Sequence, residues 1–253
     1  MNPVELYKKL PRTNCGACAQ KACMPFAFAL LKGEASLQDC PSLSEDLKAE
    51  LAAVVTTSDW REDLIAALKE DIKAIPFEAV AGQLGAELKN RSLSLRYFGQ
   101  DILIGPDGEI EASGRLTPWM RMLLLFYVKN RGSGPLSGTW VEHSELRGGL
   151  MKSKAFKREC EEPLRDLLDR NLRAVASCLE AYGAQHPQGF SSPWGWLIHL
   201  LPNVPVLILY WPEEDEFGSK VTIRFDSTAD RFFDVEQIIF LVEELVKQIE
   251  ASL

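Results

Sequence analysis

Two periodicities follow one another along the chain, and the change falls near Ser92. Ahead of it, apolar residues recur at helical spacing. The run MPFAFALLKGE has Pro25 near its first turn, apolar residues from Phe26 to Leu31 and Gly33 at its end, which predicts a short capped helix starting at Cys23. Ser42 and Glu45 ahead of Leu47 form a capping-box pattern for a helix reaching about Val55, and Leu64 to Ile72 predicts another. From Ser92 the period drops to two. SLSLRYFGQDILIGPDGEIEA alternates, and Gly99-Gln100 and Pro106-Asp107-Gly108 supply turns, so three short antiparallel strands are expected. A second strand pair, Val204 to Tyr210 and Lys220 to Phe225, is joined by the acidic turn Pro212 to Gly218. Helical stretches lie near Pro118 to Lys129 and Lys157 to Tyr182, and an amphipathic helix closes the chain from about Val235 to Ile249. Antiparallel strand pairs with helices between them make the fold class α+β rather than a doubly wound sheet. The expected organisation is a small module at residues 1–41, a helical connector at 42–75 and an α+β domain at 76–253.

Composition adds that the chain is an ordinary folded one. At 253 residues it is long enough for a small module and a domain with a sizeable core, and no repeat or low-complexity tract suggests otherwise. The opening residues lack the apolar stretch and cleavage site of a signal peptide, and no apolar run approaches the roughly 18 residues of a membrane span. The expected setting is cytoplasmic, where clustered cysteines mean metal or redox chemistry more often than disulfides. Charge is unevenly spread. Residues 1–41 carry five cations against three carboxylates, +2 in all, so the rest of the chain holds -10 of the net -8. No dense basic stripe with interleaved aromatics is present, which sets nucleic acid aside as a partner.

The chemistry concentrates in that basic segment. Four of the six cysteines fall in the order Cys15-x2-Cys18-x4-Cys23-x16-Cys40. The close pair puts two thiolates on one tight turn, which Gly16 lets curl without a side-chain clash. Cys23 sits at a helix start, where amides and the helix dipole favour a thiolate. The helix then returns the chain so that Cys40, just before Pro41, closes the site. A cubane asks for such convergence from different directions. Structural zinc usually takes two knuckles of two close cysteines each, unlike the wide last spacing here. A disulfide pair disagrees with the compartment, and four unrelated buried cysteines with the clustering.

The run LYKKLPRTNCGACAQKACMPFAFALLKGEASLQDCP resembles the four-cysteine iron-sulfur domain at the start of the corrinoid iron-sulfur protein large subunit of the acetyl-CoA pathway. A similar domain opens the B subunit of ion-pumping ferredoxin oxidoreductases. The likeness covers residues 4 to 41 and includes Leu10-Pro11, Asn14-Cys15-Gly16 and Asp39-Cys40-Pro41. It implies that Cys15, Cys18, Cys23 and Cys40 each ligate one 4Fe-4S cluster. Ala19-Gln20-Lys21 departs from the small or glycine-containing pairs common in that family, which bears on the potential and removes no ligand. Lys8, Lys9, Arg12 and Lys21 are candidates for raising the cluster's potential or for docking an acidic partner. The body, through GQDILIGPDG, PLSGTWVEHSELRGG, LPNVPVLILYWPEEDEF and FDSTADRFF, is similar to an uncharacterised domain of anaerobes that is often fused behind this module.

Elsewhere the candidate chemistry is thin. Glu213-Glu214-Asp215-Glu216 could hold a hard cation, but reads better as a solvated hairpin tip. His143, His186 and His199 are isolated, Cys160 and Cys178 read as small apolar residues on helices, and Gly148-Gly149 lacks the context of a phosphate loop. Trp194, Trp196 and Trp211 are expected in the core or at an interface. The expected function is therefore electron transfer or a redox accessory role in anaerobic metabolism, including reductive upkeep of a corrinoid or other metal centre. The expected partner is a redox protein, either a ferredoxin-like donor or a metalloenzyme acceptor. A non-catalytic carrier is favoured over an enzyme, because four matched cysteines leave no open iron. The rival class is a structural or regulatory module whose cluster folds the N-terminus or senses oxygen.

Overall fold

The structure is a computed structural model that describes residues 3–31, 33–55, 60–214 and 217–253. The chain divides into two compact units, Met1–Ala66 and Ala67–Leu253.

In the first unit, helix α1 (Pro3–Lys9) lies against α2 (Cys23–Leu31). Helix α2 is apolar nearly all round and buries Cys23, Phe26, Ala27, Ala29 and Leu30. A helix that apolar needs cover on several sides. Leu6 and Leu10 supply part of it, and α3 (Glu45–Val54) supplies more through Leu51. Burying a Leu or Phe side chain contributes about 1.5–3 kcal/mol. Helix α2 ends as its residues dictate: Gly33 takes φ +69, and the Glu34 amide donates back to the Ala29 carbonyl at 2.8 Å. A single 3-10 turn, Leu37–Asp39, then delivers Cys40, with the Asp39 carboxylate accepting the Ser36 amide at 2.7 Å. Helix α3 is capped by Ser44, whose hydroxyl accepts the Leu47 amide at 3.3 Å, and not by Ser42 as the capping-box pattern suggests. Leu43, Leu51 and Val55 share the core of α1 and α2, so α3 packs on the cysteine module. Helix α4 (Trp60–Lys73) follows.

The second unit is α+β. After a short helix α5 (Phe77–Val80), strands β1 (Glu87–Lys89), β2 (Ser92–Tyr97), β3 (Gln100–Ile104) and β4 (Ile110–Ala112) form an antiparallel meander. That is one strand more than the alternation predicts. Strand β1 is exposed throughout and has a single apolar residue, Leu88, too few for an alternation to announce it. The turn between β2 and β3 is Phe98-Gly99, both left-handed with φ +48 and +71, so Gln100 belongs to the strand.

Helix α6 (Pro118–Asn130) precedes a second antiparallel sheet. This sheet is built from β5 (Trp140–Glu142), β6 (Trp194–Leu201), β7 (Val204–Trp211) and β8 (Lys220–Asp226) in the order β5-β8-β7-β6. The predicted pair is β7 and β8, and β5 and β6 extend it on either side. Between β5 and β6 run α7 (Gly149–Phe156), one turn of π-helix at Lys157–Glu161 and α8 (Glu162–Ala181). Asn171 breaks the helical dihedrals inside α8, with φ -155 and ψ 71. Helix α9 (Val235–Glu250) is capped by Asp234 and packs against α6 and α8 with Ile238, Leu241, Val242 and Leu245 buried. The sheets meet where the Phe98 amide donates to the Leu200 carbonyl at 3.2 Å. No helix among the described residues is long and apolar enough to cross a membrane.

Candidate functional site

Cys15, Cys18, Cys23 and Cys40 line one pocket of the first unit. The remaining lining is Pro11, Thr13, Asn14, Gly16, Ala22, Phe26 and Pro41, without a charged side chain. All four thiols are free, with Cys15 exposed, Cys18 partly exposed, and Cys23 and Cys40 buried.

Local backbone geometry brings the first three together. Gly16 has φ +73, as the curl between the close pair requires, and Arg12, Asn14 and Lys21 are also left-handed at φ +58, +47 and +57. The Asn14 side-chain oxygen accepts the Cys23 amide at 2.9 Å, which ties the loop of the first cysteine to the start of α2. The first-turn amides are thus less available than the helix start alone suggests: Cys23's goes to Asn14, Phe26's to the Ala22 carbonyl at 3.1 Å, and Pro25 has none. Ser42, released from capping α3, places its hydroxyl 3.5 Å from the Cys15 sulfur. The Ser42 hydroxyl, followed by the Ala17 amide and the Thr13 hydroxyl, holds the Cys15 thiol below its ordinary pKa.

Among the described residues, no three His, Cys, Asp or Glu side chains are grouped closely enough to hold a single metal ion. A cubane presents its irons at four corners and takes one thiolate at each, so its ligands line a pocket rather than meet at a point. The neutral pocket with its four thiols fits that requirement, and these four residues could hold such a group.

The other candidates are brought to no common site. His143 is buried and stacked on Phe156 at 4.4 Å, and its Nε2 donates to the Val235 carbonyl at 3.0 Å. Burial pushes its pKa down. His186 lies 3.2 Å from Glu180, and His199 3.0 Å from the Pro202 carbonyl. Cys160 is buried against the Ile239 carbonyl at 3.6 Å, and burial raises its thiol pKa. Gly149 is needed for packing, since a Cβ there would lie 1.8 Å from the His143 carbonyl oxygen. Trp196 is fully buried, and Trp194 stacks on it at 6.2 Å. Of the acidic turn, Asp215 and Glu216 lie outside the described residues.

Sequence reasoning did not single out Asn14 and Ser42 as site residues, nor a second cavity of about 280 Å³ in the second unit. There Glu142, Glu161 and Glu162 balance Lys157, Arg165 and Lys220. Glu161, on the π-turn, accepts the Ile223 amide at 3.0 Å, and burial raises its pKa. These residues come from separated elements and form no sequence motif.

Residues 76–248 match the model of a family described as a domain of unknown function, DUF3786. Residues 10–42 match a family model named for an Fe-S cluster. The chain is 34% identical over 101 residues to the acetyl-CoA decarbonylase/synthase complex subunit gamma of Methanothermobacter thermautotrophicus, covering 40% of this chain and 20% of that protein. It is 44% identical over 50 residues to the corrinoid/iron-sulfur protein large subunit of Moorella thermoacetica, covering 20% of this chain and 11% of that one. With the subunit gamma 2 of Methanosarcina mazei the identity is 47% over 47 residues, 19% of this chain and 10% of that protein. The chain therefore spans only a tenth to a fifth of the length of these relatives. No solved structure matches it. The two resemblances read from the sequence hold: an iron-sulfur segment akin to the corrinoid protein's stands ahead of an uncharacterised domain, and the cofactor class is iron-sulfur.

Proposed function

The chain belongs to the family of the domain of unknown function DUF3786, and on that premise we propose that its N-terminal module is a one-electron redox accessory to a partner protein. In this reading Cys15, Cys18, Cys23 and Cys40 hold a 4Fe-4S cluster. The observation that carries it is the pocket itself, which gathers all four thiols and no charged side chain.

A thiolate-held cluster supplies a one-electron couple with no bond made or broken. The chain's own residues fix where it sits and how wet it is. Asn14 anchors the backbone of Cys23, Ser42 offers a hydroxyl to the Cys15 sulfur, and Phe26, Pro11 and Pro41 shield the pocket from water. The names of the relatives, subunits of an acetyl-CoA decarbonylase/synthase complex and of a corrinoid/iron-sulfur protein, support a partner in anaerobic one-carbon metabolism. The specific form we favour is reductive upkeep of a corrinoid or other metal centre, with the DUF3786 domain as the docking body and a ferredoxin-like donor. A second role has support of its own. Cys23 and Cys40 belong to the core of the first unit beside Leu6, Phe26 and Leu51, so the cluster also stabilises that unit's fold.

Anaerobic purification with iron and sulfide analysis, and EPR of the reduced protein, test the reading on the native chain and on Cys23→Ala. About four irons and four sulfides per chain, with a reversible one-electron signal that the variant loses, are expected. Zinc in place of iron, an unchanged spectrum in the variant, or a cluster destroyed on reduction would overturn it.

A further inference from the structure

The four cysteines are not equally covered. Cys23 and Cys40 are 9% and 6% exposed, whereas Cys15 is open to solvent and Cys18 partly so. Electron transfer weakens steeply with distance, so the side of Cys15 and Cys18 is where a carrier can come nearest.

The sequence around those two cysteines carries charge of one sign. From Leu6 to Gly33 the sequence has no Asp or Glu, and it carries Lys8, Lys9, Arg12, Lys21 and Lys32. Lys9 is paired with Glu50 at 3.1 Å. Arg12 and Lys21 adjoin the pocket residues Thr13 and Ala22, are exposed, and have no ion-pair partner among the described residues. Of the carboxylates on either side of Cys40, Asp39 accepts the Ser36 amide at 2.7 Å, and Glu45 pairs with Lys48 at 2.7 Å. Arg12 and Lys21 hold their left-handed backbone at a cost that a neutral glycine would avoid.

We infer that Arg12 and Lys21 form the lip on which a carboxylate-rich one-electron carrier protein docks, delivering its electron across the side of Cys15 and Cys18. The inference rests on the proposal that the module holds a reducible cluster. The carrier is oxidised by one electron and the cluster is reduced by one, with no proton or bond changing hands. Opposite charge at the lip orients the encounter and raises its rate, an effect that salt removes.

The test uses the holoprotein and the double variant Arg12→Glu, Lys21→Glu, with an acidic two-cluster ferredoxin as probe. Affinity is read by titration calorimetry with both proteins oxidised, and reduction is read by stopped flow. At low salt the variant should bind about tenfold more weakly and be reduced about tenfold more slowly, and the difference should vanish near about 0.5 M salt. Reduction by the methyl viologen radical cation should change in the opposite sense, becoming faster. The charge-preserving pair Arg12→Lys, Lys21→Arg should behave as the native chain. If charge reversal costs the protein its iron, the neutral pair Arg12→Gln, Lys21→Gln should show the same changes at a smaller size. A reversed variant with full iron and an unchanged EPR signal that binds and accepts electrons as the native chain does would overturn this inference alone. A native chain without a reducible cluster would overturn it together with the proposed function.

Discussion

The side-chain oxygen of Asn14 accepts the backbone N–H of Cys23 at 2.9 Å, so the residue before the first cysteine caps the helix that begins at the third. An Asn cap contributes about 1 kcal/mol. Because Asn14 is also left-handed at φ +47, alanine there would lose the cap and add about 1 kcal/mol of backbone strain. Asn14→Ala should therefore destabilise the first unit by about 2 kcal/mol and Asn14→Gly by about half of that. Urea titrations followed at the cluster's visible absorbance check both, and equal losses in the two variants would remove the strain argument.

Ser42 makes a second prediction, for the metal-free protein. Its hydroxyl, 3.5 Å from Cys15, is the leading cause of that thiol's lowered pKa. Removing it should move the pKa up toward the ordinary value, so at a fixed mildly alkaline pH Ser42→Ala should alkylate more slowly at Cys15. Fragment-resolved mass spectrometry of iodoacetamide-treated protein separates Cys15 from Cys18. A pH profile of Cys15 unchanged in Ser42→Ala would contradict the assignment.

Lys21 stands at φ +57, a region that a Cβ disfavours and glycine enters freely. Lys21→Gly should raise the stability of the first unit by about 0.5–1 kcal/mol, the relieved strain less the greater freedom of the unfolded chain. Thermal melts of the metal-free and loaded protein should both move upward. A fall in both would mean that the lysine's contacts outweigh its backbone strain.

These residues also show what a sequence displays and what it hides. The helix of Cys23, its end at Gly33, the curl at Gly16 and strands β7 and β8 are legible because each depends on neighbours within a turn or on simple alternation. The cap by Asn14 joins residues nine apart through a folded loop, and no local pattern encodes it. Ser42 and Ser44 both precede α3, and only the folded loop decides that Ser44 caps it while Ser42 turns to Cys15. Strand β1 is only three residues long with Leu88 its single, exposed apolar residue, and it joins β2 through Asn90-Arg91, whose left-handed Arg91 is a residue that turn rules would not choose. Asn171 interrupts α8 without disturbing its apolar spacing, so periodicity reads straight across it.

Asp226, at the end of β8, binds the 137–138 loop to the following turn and should dominate the acid sensitivity of the second unit. It is 2% exposed, and its Oδ1 accepts the Ser137 amide at 3.1 Å, the Thr228 amide at 3.0 Å and the Thr228 hydroxyl at 2.7 Å. Its Oδ2 accepts the Gly138 amide at 2.7 Å. Burial alone would raise the pKa, but the hydrogen bonds from Thr228, Ser137 and Gly138 outweigh it and leave the carboxyl below its ordinary value of 3.8. A depressed carboxylate contributes stability that is complete above the unfolded pKa and is lost as pH falls through the folded one. Asp226→Ala leaves these donors without their acceptor, so at pH 7 it should cost about 3 kcal/mol. The gap between the two proteins should hold steady at neutral pH and narrow below about pH 4, where the Asp226 carboxyl of the unfolded chain begins to take up a proton ahead of the folded one. Urea midpoints at neutral and acid pH measure that gap, and one that does not narrow on acidification would show that Asp226 acts through packing rather than charge.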